Sequence, residues 1–317
     1  MSTYQPVLKS KAQPGNATVS YASNHALNTR ENGEPLRLLT EEQWAFWRHN
    51  GYIVLKDAVP QHQVTATAAL LWEFEEKDPN DPTTWYAPPR REIEMKELIG
   101  SGMVEIYQHQ LLWDNRQYPR VYEAFVDVWG DEKLWVTIDR ANLNFPVRPQ
   151  DSFKGFIHWD IDTSLNPRPY NVQGVLALSE TTDLTGGFQC IPELYRTFDE
   201  WVKGQPADRD PFQPDYTGFG LTQVNMQPGD LLIFNAMLPH GIRPNRSDKP
   251  RLAQYISMLP AQNEHHELRE WRIQSWRNKM APEGYAFPGD PRDWEKLHTK
   301  TAELTPLGKK LLGLDLW

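Results

Sequence analysis

Residues 154–160 read KGFIHWD, a short apolar run that ends in a His-x-Asp pair. Along a strand, residues i and i+2 point to the same side, so His158 and Asp160 can face one metal while Trp159 turns away. A third metal-binding side chain, His240, follows far downstream. Two imidazoles and one carboxylate that hold one face of a metal are typical of non-haem Fe(II) oxygenases. The sequence therefore predicts a metal site built from His158, Asp160 and His240.

An arginine follows the distal histidine at a defined spacing. Arg251 comes eleven residues after His240 and begins the predicted strand Arg251–Met258. A guanidinium offers a rigid fork of donors that matches a carboxylate. Arg251 is therefore the candidate for binding a carboxylate near the metal, whereas Arg243 and Arg246 are expected to be solvated charges in the loop after His240.

Further motifs accompany this set. They are LTEEQ (39–43), NGYIVL (50–55), HWD (158–160), TGGFQCIP (185–192), PGD (228–230), His240, NRS (245–247) and Arg251. On these motifs, from about residue 39 to about residue 260, the chain resembles the phytanoyl-CoA dioxygenase superfamily of Fe(II)- and 2-oxoglutarate-dependent oxygenases. The resemblance implies Fe(II), 2-oxoglutarate and O2 as cofactors, with Arg251 on the distal carboxylate of 2-oxoglutarate. It also implies oxidation of a small organic substrate with release of succinate and CO2.

The chain departs from the family pattern in two places. Relatives usually have Pro-Gly-Ser-His after the Gly-rich strand, whereas residues 192–195 read PELY. Many relatives carry a serine two residues after the distal arginine, where this chain has Ala253. A third position agrees with the oxygenases, because related halogenases have Gly or Ala in place of Asp160. The resemblance thus implies oxygenation or desaturation and no halogenation, and we expect hydroxylation.

Six other residues are weaker candidates for contacts with ligands. Asn142 and Gln173 lie in predicted strands and are candidates for hydrogen bonds to the cosubstrate. Candidates for substrate contacts are Tyr107, His109, Trp113 and Arg168. The first three precede the predicted barrel, where relatives build the pocket mouth, and the last lies in a Pro-rich loop where it can meet an anionic substrate. Packing or surface roles are alternatives for all six.

Composition limits the partners and the compartment. The 317 residues carry 33 basic and 42 acidic side chains, a net charge of -9, and no basic stripe. Nucleic acid and anionic membrane surfaces are therefore not expected as partners. The single cysteine, Cys190, cannot form an internal disulfide and is expected to be a small buried hydrophobe, which fits the reducing cytoplasm. No signal peptide and no stretch of about 18 apolar residues is evident.

Periodicity predicts a mainly β fold with flanking helices. Short strands separated by turns, from about residue 134 to 260 and including Gly155–Trp159, suggest a double-stranded β-helix, or cupin-like jelly roll. Helices are expected outside it, one of which begins at a Thr40–Gln43 capping box and another of which covers Glu92–Ile99. Residues 1–37 are expected to form an arm, and residues 38–317 a single catalytic domain with a helical extension over 261–317.

Two alternatives stay open at this level. One is a cupin-like metal-dependent oxygenase or isomerase that does not use 2-oxoglutarate. Such an enzyme needs no arginine for a carboxylate, so the presence of Arg251 argues against it. The other is a non-catalytic binding protein on the same fold, against which the complete triad argues. The sequence identifies neither the substrate nor the oligomeric state.

Overall fold

The computed structural model describes residues 26–31, 33–87, 102–283 and 287–317. The helices are α1 (Glu41–Asn50), α2 (Gln61–Glu75), α3 (Pro82–Trp85), α4 (Gln110–Arg116), α5 (Pro119–Trp129), α6 (Pro192–Trp201), α7 (His266–Asn278), α8 (Trp294–His298) and α9 (Pro306–Leu312). The strands are β1 (Tyr52–Leu55), β2 (Met103–Val104), β3 (Leu134–Val136), β4 (Ala141–Asn144), β5 (Val172–Ala177), β6 (Gly187–Cys190), β7 (Thr222–Gln223), β8 (Leu231–Asn235), β9 (His240–Arg243), β10 (Arg251–Tyr255) and β11 (Met258–Pro260). Among these helices, none is both long and apolar enough to cross a membrane.

The strands form antiparallel sheets. The largest has six strands in the order β1-β8-β5-β10-β4-β2, and a second has the order β7-β6-β9. Strands β3 and β11 form a separate pair. In the centre of the large sheet, Ala253 of β10 lies opposite Asn142 of β4 on one side and Ala177 of β5 on the other. These three side chains therefore share one face of the sheet.

The two faces of the large sheet pack against different layers of the structure. On one face, Leu252 belongs to the main buried cluster, which includes the helices. On the other face, Ala253 belongs to a smaller cluster with Phe188 and Cys190 of the three-stranded sheet. Because neighbours along β10 point to opposite faces, the same strand fills the helix layer and the space between the sheets. Cys190 is fully buried there, as predicted, and burial raises the pKa of its thiol to about 12.

Helix α1 begins as the sequence predicts. Thr40 Oγ1 accepts from the Gln43 backbone N–H at 3.2 Å, and Gln43 Oε1 accepts from the Thr40 N–H at 3.0 Å. Just before it, the Asp127 carboxylate of α5 accepts backbone N–H groups from residues 37, 38 and 39. A buried carboxylate that collects several donors is a strong local anchor. It fixes the point where the chain enters the first helix.

Three local expectations had different outcomes. Residues 155–159 form no strand ladder but a single bridge, His158 to His240, beside which the Phe156 N–H donates to Ile242 O at 3.2 Å. Gly155, with φ +88°, interrupts the extended backbone at the start of this segment. The stretch PELY begins helix α6, with Pro192 in its first turn. The expected helix Glu92–Ile99 lies outside the described residues.

Candidate active site

Three side chains from two distant segments of the chain converge at one edge of the space between the sheets. Ligand atoms of His158, Asp160 and His240 all lie within 4.8 Å of one another. His158 Nε2 is 2.9 Å from Asp160 Oδ1, and His240 Nε2 is 3.3 Å from Asp160 Oδ2. The residues singled out from sequence spacing are therefore neighbours in space.

Backbone contacts fix this convergence. The His158 N–H donates to His240 O at 2.8 Å and the His240 N–H returns a bond to His158 O at 3.0 Å. His240 Nδ1 lies 2.9 Å from Leu238 O, and since a carbonyl only accepts, Nδ1 is the protonated nitrogen in that contact. Nε2 of His240 then carries the free lone pair and faces Asp160. A histidine that binds a metal needs such an unprotonated nitrogen.

The electrostatics of the cluster favour an anionic carboxylate. Burial by itself would raise the pKa of Asp160, but the imidazoles of His158 and His240 hold the pKa of this carboxyl well below its usual range. Burial also opposes the charged form of His158, yet the Asp160 charge outweighs it and raises the pKa of His158. An anionic oxygen beside two imidazole nitrogens is a donor set that suits a divalent transition metal.

Gln173 lies beside the triad and contacts one of its members. Its Nε2 donates to Asp160 Oδ2 at 2.5 Å. The sequence predicted Gln173 as a partner of the cosubstrate, and that stays a prediction; the structure adds the contact of its amide with the Asp160 carboxylate. This contact depends on the position of β5 relative to the His-x-Asp segment, which no local pattern reports.

Arg251 faces the same interior from the start of β10. It is 3% exposed, and its Nη2 donates to Asn142 Oδ1 at 2.8 Å. Within the described part of the chain, its Nε has no hydrogen-bond partner. Burial lowers the pKa of Arg251, while the Tyr255 hydroxyl, four residues further along β10, opposes that effect. The structure thus places Asn142, predicted as a contact of the cosubstrate, against Arg251, and it adds Tyr255, which alternation along β10 places on the same face.

A glycine keeps the space next to this arginine open. Gly187, the first residue of β6, has φ +97°. A Cβ built on it would lie 2.7 Å from Thr181 Cγ2 and 3.3 Å from Arg251 Cδ. Both the backbone angle and the close approach favour glycine here.

Arg243 corrects an expectation. The sequence predicted a solvated loop charge, but Arg243 ends strand β9 and is 5% exposed. Its guanidinium donates to Phe188 O at 2.6 Å, to Thr182 O at 2.8 Å and to Asn225 Oδ1 at 2.8 Å. The prediction was wrong because these acceptors come from elements that pack on β9 only in the folded chain. Arg246, in contrast, is exposed as predicted.

Further polar side chains lie beyond Asn142 on the inner face of the large sheet. Arg140 lies two residues before Asn142, and the Tyr255 N–H donates to Arg140 O at 3.0 Å. The Arg140 guanidinium is 3.5 Å from Glu105, whose carboxylate also accepts from the Tyr107 hydroxyl. The structure therefore connects Tyr107 to the inner face through Glu105. The alternation Arg140, Asn142, Asn144 along β4 is a signal by which this group can be found in the sequence.

The other predicted substrate residues are not brought to the triad. His109 Nδ1 accepts from the Leu111 N–H as the N-terminal cap of α4. Trp113 belongs to the main buried cluster, on the helix side of the large sheet. Arg168 pairs with Asp199 at 2.9 Å and lines a separate cleft behind Trp159. A structural role therefore accounts for the first two, and the third is treated below.

Comparisons with known proteins agree with this geometry. The family model described as phytanoyl-CoA dioxygenase (PhyH) matches residues 47–253. A "putative phytanoyl-CoA dioxygenase" of Dictyostelium discoideum is 23% identical over 267 residues, covering 68% of this chain and 74% of that protein.

Solved structures show the same fold at low identity. GlcNAc Inducible Gene 2 of Candida albicans superimposes with a TM-score of 0.62 at 12% identity, covering 88% of this chain and 77% of the other. The epimerase SnoN, crystallised with Fe3+ and alpha-ketoglutarate, gives a TM-score of 0.52 at 15% identity, covering 70% and 83%. Since the family model spans well over half of the sequence, the chain belongs to the phytanoyl-CoA dioxygenase (PhyH) family of non-haem iron(II)- and 2-oxoglutarate-dependent oxygenases.

Proposed function

We propose that this chain hydroxylates a small organic substrate at an iron(II) held by His158, Asp160 and His240. The observation that carries the proposal is the convergence of these three ligands within 4.8 Å at the edge of the interior that also contains Arg251. When bound, iron(II) with 2-oxoglutarate and O2 supplies the oxidation and yields succinate and CO2. The protein positions the reactants and limits the access of water.

The residues around the triad keep its donors in place. The Leu238 carbonyl sets the tautomer of His240, and the Gln173 amide holds the Asp160 carboxylate. Such contacts fix the direction of a metal ligand and sustain its affinity. Asp160 itself supports hydroxylation over halogenation, because its carboxylate takes the position that a halide would need.

Arg251 is proposed to bind the distal carboxylate of 2-oxoglutarate. Its buried guanidinium is held by Asn142, and Gly187 leaves room beside its side chain. The family's frequent serine is Ala253 here, and Asn142 lies directly opposite Ala253 across β4 and β10. The amide of Asn142 therefore supplies a polar group close to the place where relatives have a hydroxyl.

The substrate is proposed to contact the polar group around Tyr107. The Tyr107 hydroxyl and Arg140 meet at the Glu105 carboxylate, and Phe287 covers the Arg140 guanidinium with its ring centroid 4.3 Å away. Buried polar groups of this kind reject ligands that cannot satisfy them. We therefore expect a substrate with hydrogen-bonding groups and not a bare hydrocarbon.

We also infer that the two facing sheets are the halves of a double-stranded β-helix. Support comes from the chain order, since β5 and β8 lie in the large sheet while β6, β7 and β9 lie in the small one. The chain thus alternates between sheets that share one buried cluster. Residues 38–317 are proposed to form one catalytic domain, because the main cluster extends from Leu39 to Leu312.

The test is oxygen-dependent release of succinate by the purified chain with iron(II) and 2-oxoglutarate, alone and with a panel of small polar metabolites. We expect slow basal release that one substrate class accelerates, and no release by His240→Ala. Iron binding measured in parallel separates the alternatives. Iron binding without 2-oxoglutarate consumption would favour a cupin-like oxygenase or isomerase, and no iron binding would favour a binding protein.

A further inference from the structure

A second cleft lies behind the metal-binding segment. Its volume is about 1050 Å³, at the upper limit of the range of ligand sites. One wall is the segment 163–170, which follows Asp160 and leads into β5. The end of α1 and helix α6 also line the cleft. The indole of Trp159, between the two metal-binding residues His158 and Asp160, packs on Phe198 of α6 with ring centroids 5.6 Å apart.

The charge of this cleft is opposite to that of the whole protein. The chain has a net charge of -9. The ionisable residues that line the cleft are Arg48, His49, Arg168, Arg196, Arg209 and Asp199. Within the described part of the chain, four guanidinium groups thus face one carboxylate. A concave surface with one sign of charge attracts ligands of the other sign.

Two of the arginines converge on one aromatic ring. The guanidinium carbons of Arg168 and Arg209 are 4.8 and 5.8 Å from the centroid of Phe198. Arg168 pairs with Asp199, while Arg209 donates to Thr163 Oγ1 at 2.9 Å and to Thr163 O at 3.2 Å. Burial lowers the pKa of Arg209, the charges of Asp162 and Asp210 oppose that effect, and the charge of Arg168 adds to it. Arg168 and Arg209 therefore lie close together. Asp199 is the one carboxylate among the described residues that line the cleft, while Asp162 and Asp210 lie near Arg209 outside the lining.

Two other arginines, Arg48 of α1 and Arg196 of α6, also line the cleft. Arg48 and Arg196 are exposed, and both are held by polar groups of the chain. The Arg48 Nη1 donates to Asn28 O at 3.1 Å and the Arg196 Nη1 to Asn50 Oδ1 at 3.3 Å. These contacts use neutral acceptors, so they do not neutralise the positive charge of the two arginines.

We propose that this cleft is a second ligand site, which binds an organic anion carrying two or more phosphate or carboxylate groups. One anionic group lies between Arg168 and Arg209, and another contacts Arg48 and Arg196. Guanidinium forks recognise both kinds of group through paired hydrogen bonds. The site is distinct from the one around Arg251, and its occupancy does not require iron or turnover.

The experiment is calorimetric titration of metal-free, full-length protein with pyrophosphate and, separately, citrate. Arg168→Gln and Arg196→Gln are each expected to weaken binding about five- to tenfold, a modest effect because these groups are partly exposed and screened. The matched control is Arg148→Gln, since Arg148 also pairs with one carboxylate, Asp151 at 3.2 Å, and lies over one ring, Tyr86 at 4.9 Å. It is expected to change binding less than twofold.

Each outcome decides the proposal. Binding of either probe with the expected order of variants supports it, and the probe that binds more tightly identifies phosphate or carboxylate as the preferred group. Absence of binding by both probes at millimolar concentration overturns it. So does an equal effect of Arg148→Gln and Arg168→Gln, or loss of binding in Arg251→Ala, which would place the anion in the cosubstrate pocket. Because no iron is present, none of these results depends on the oxygenase assay.

Discussion

Replacing Arg251 by alanine is expected to weaken 2-oxoglutarate binding roughly a hundredfold and to leave the metal affinity unchanged. A hydrogen bond to a charged group contributes about 1.5–3 kcal/mol, and each 1.4 kcal/mol changes an equilibrium constant tenfold. The upper part of this range applies because the guanidinium is 3% exposed and Asn142 already fixes its orientation. A buried pair of charges is little screened by solvent or salt.

The assay is titration of 2-oxoglutarate into protein loaded with iron(II) under anaerobic conditions, with the metal affinity measured separately. Arg251→Lys is expected to recover only part of the binding, since an ammonium cannot offer two parallel bonds. Arg246→Ala, in the exposed loop, is the neutral control. Arg243→Ala is unsuitable as a control because Arg243 supports three acceptors of the fold. Unchanged 2-oxoglutarate affinity in a folded Arg251→Ala protein would refute the assignment.

Three further predictions concern neighbouring features. Gly187→Ala should reduce 2-oxoglutarate affinity at least tenfold, measured by the same titration, whereas Gly218→Ala, with a similar φ of +89° and no atom within 4 Å, should cost only stability, about 1–2 kcal/mol. Gln173→Leu should weaken iron binding about 10- to 100-fold in a metal titration, and an unaltered iron affinity would show that Gln173 does not support the carboxylate. Burial raises the pKa of Glu295 from 4.5 to about 7. Between these two pH values the folded protein keeps a proton that the unfolded chain has lost, so the free energy of unfolding of the wild type should fall by roughly 3 kcal/mol as the pH rises from 4.5 to about 7. Denaturant unfolding at several pH values should show this decrease in the wild type and a smaller pH dependence in Glu295→Gln. An equal pH dependence of the two proteins would contradict the prediction.

The sequence by itself determined the family and predicted the cluster of His158, Asp160 and His240 that the structure brings together. His158 and Asp160 are separated by one residue, so any extended backbone directs both to one side. The Thr40–Gln43 capping box likewise depends on atoms within one helical turn, and the structure confirms it. Patterns of this kind are readable because the interacting groups are close along the chain.

Only the tertiary structure decided which distant side chains meet. Gln173 contacts Asp160 because β5 passes beside the His-x-Asp segment. Arg243 is buried because its acceptors come from residues 182, 188 and 225. The cleft that contains Arg48, Arg168, Arg196 and Arg209 is lined by the end of α1, by α6 and by the segment 163–170, and these elements share no sequence pattern. Such contacts depend on strand register and on the packing of elements far apart in the chain, and these are set by the whole core and not by local periodicity.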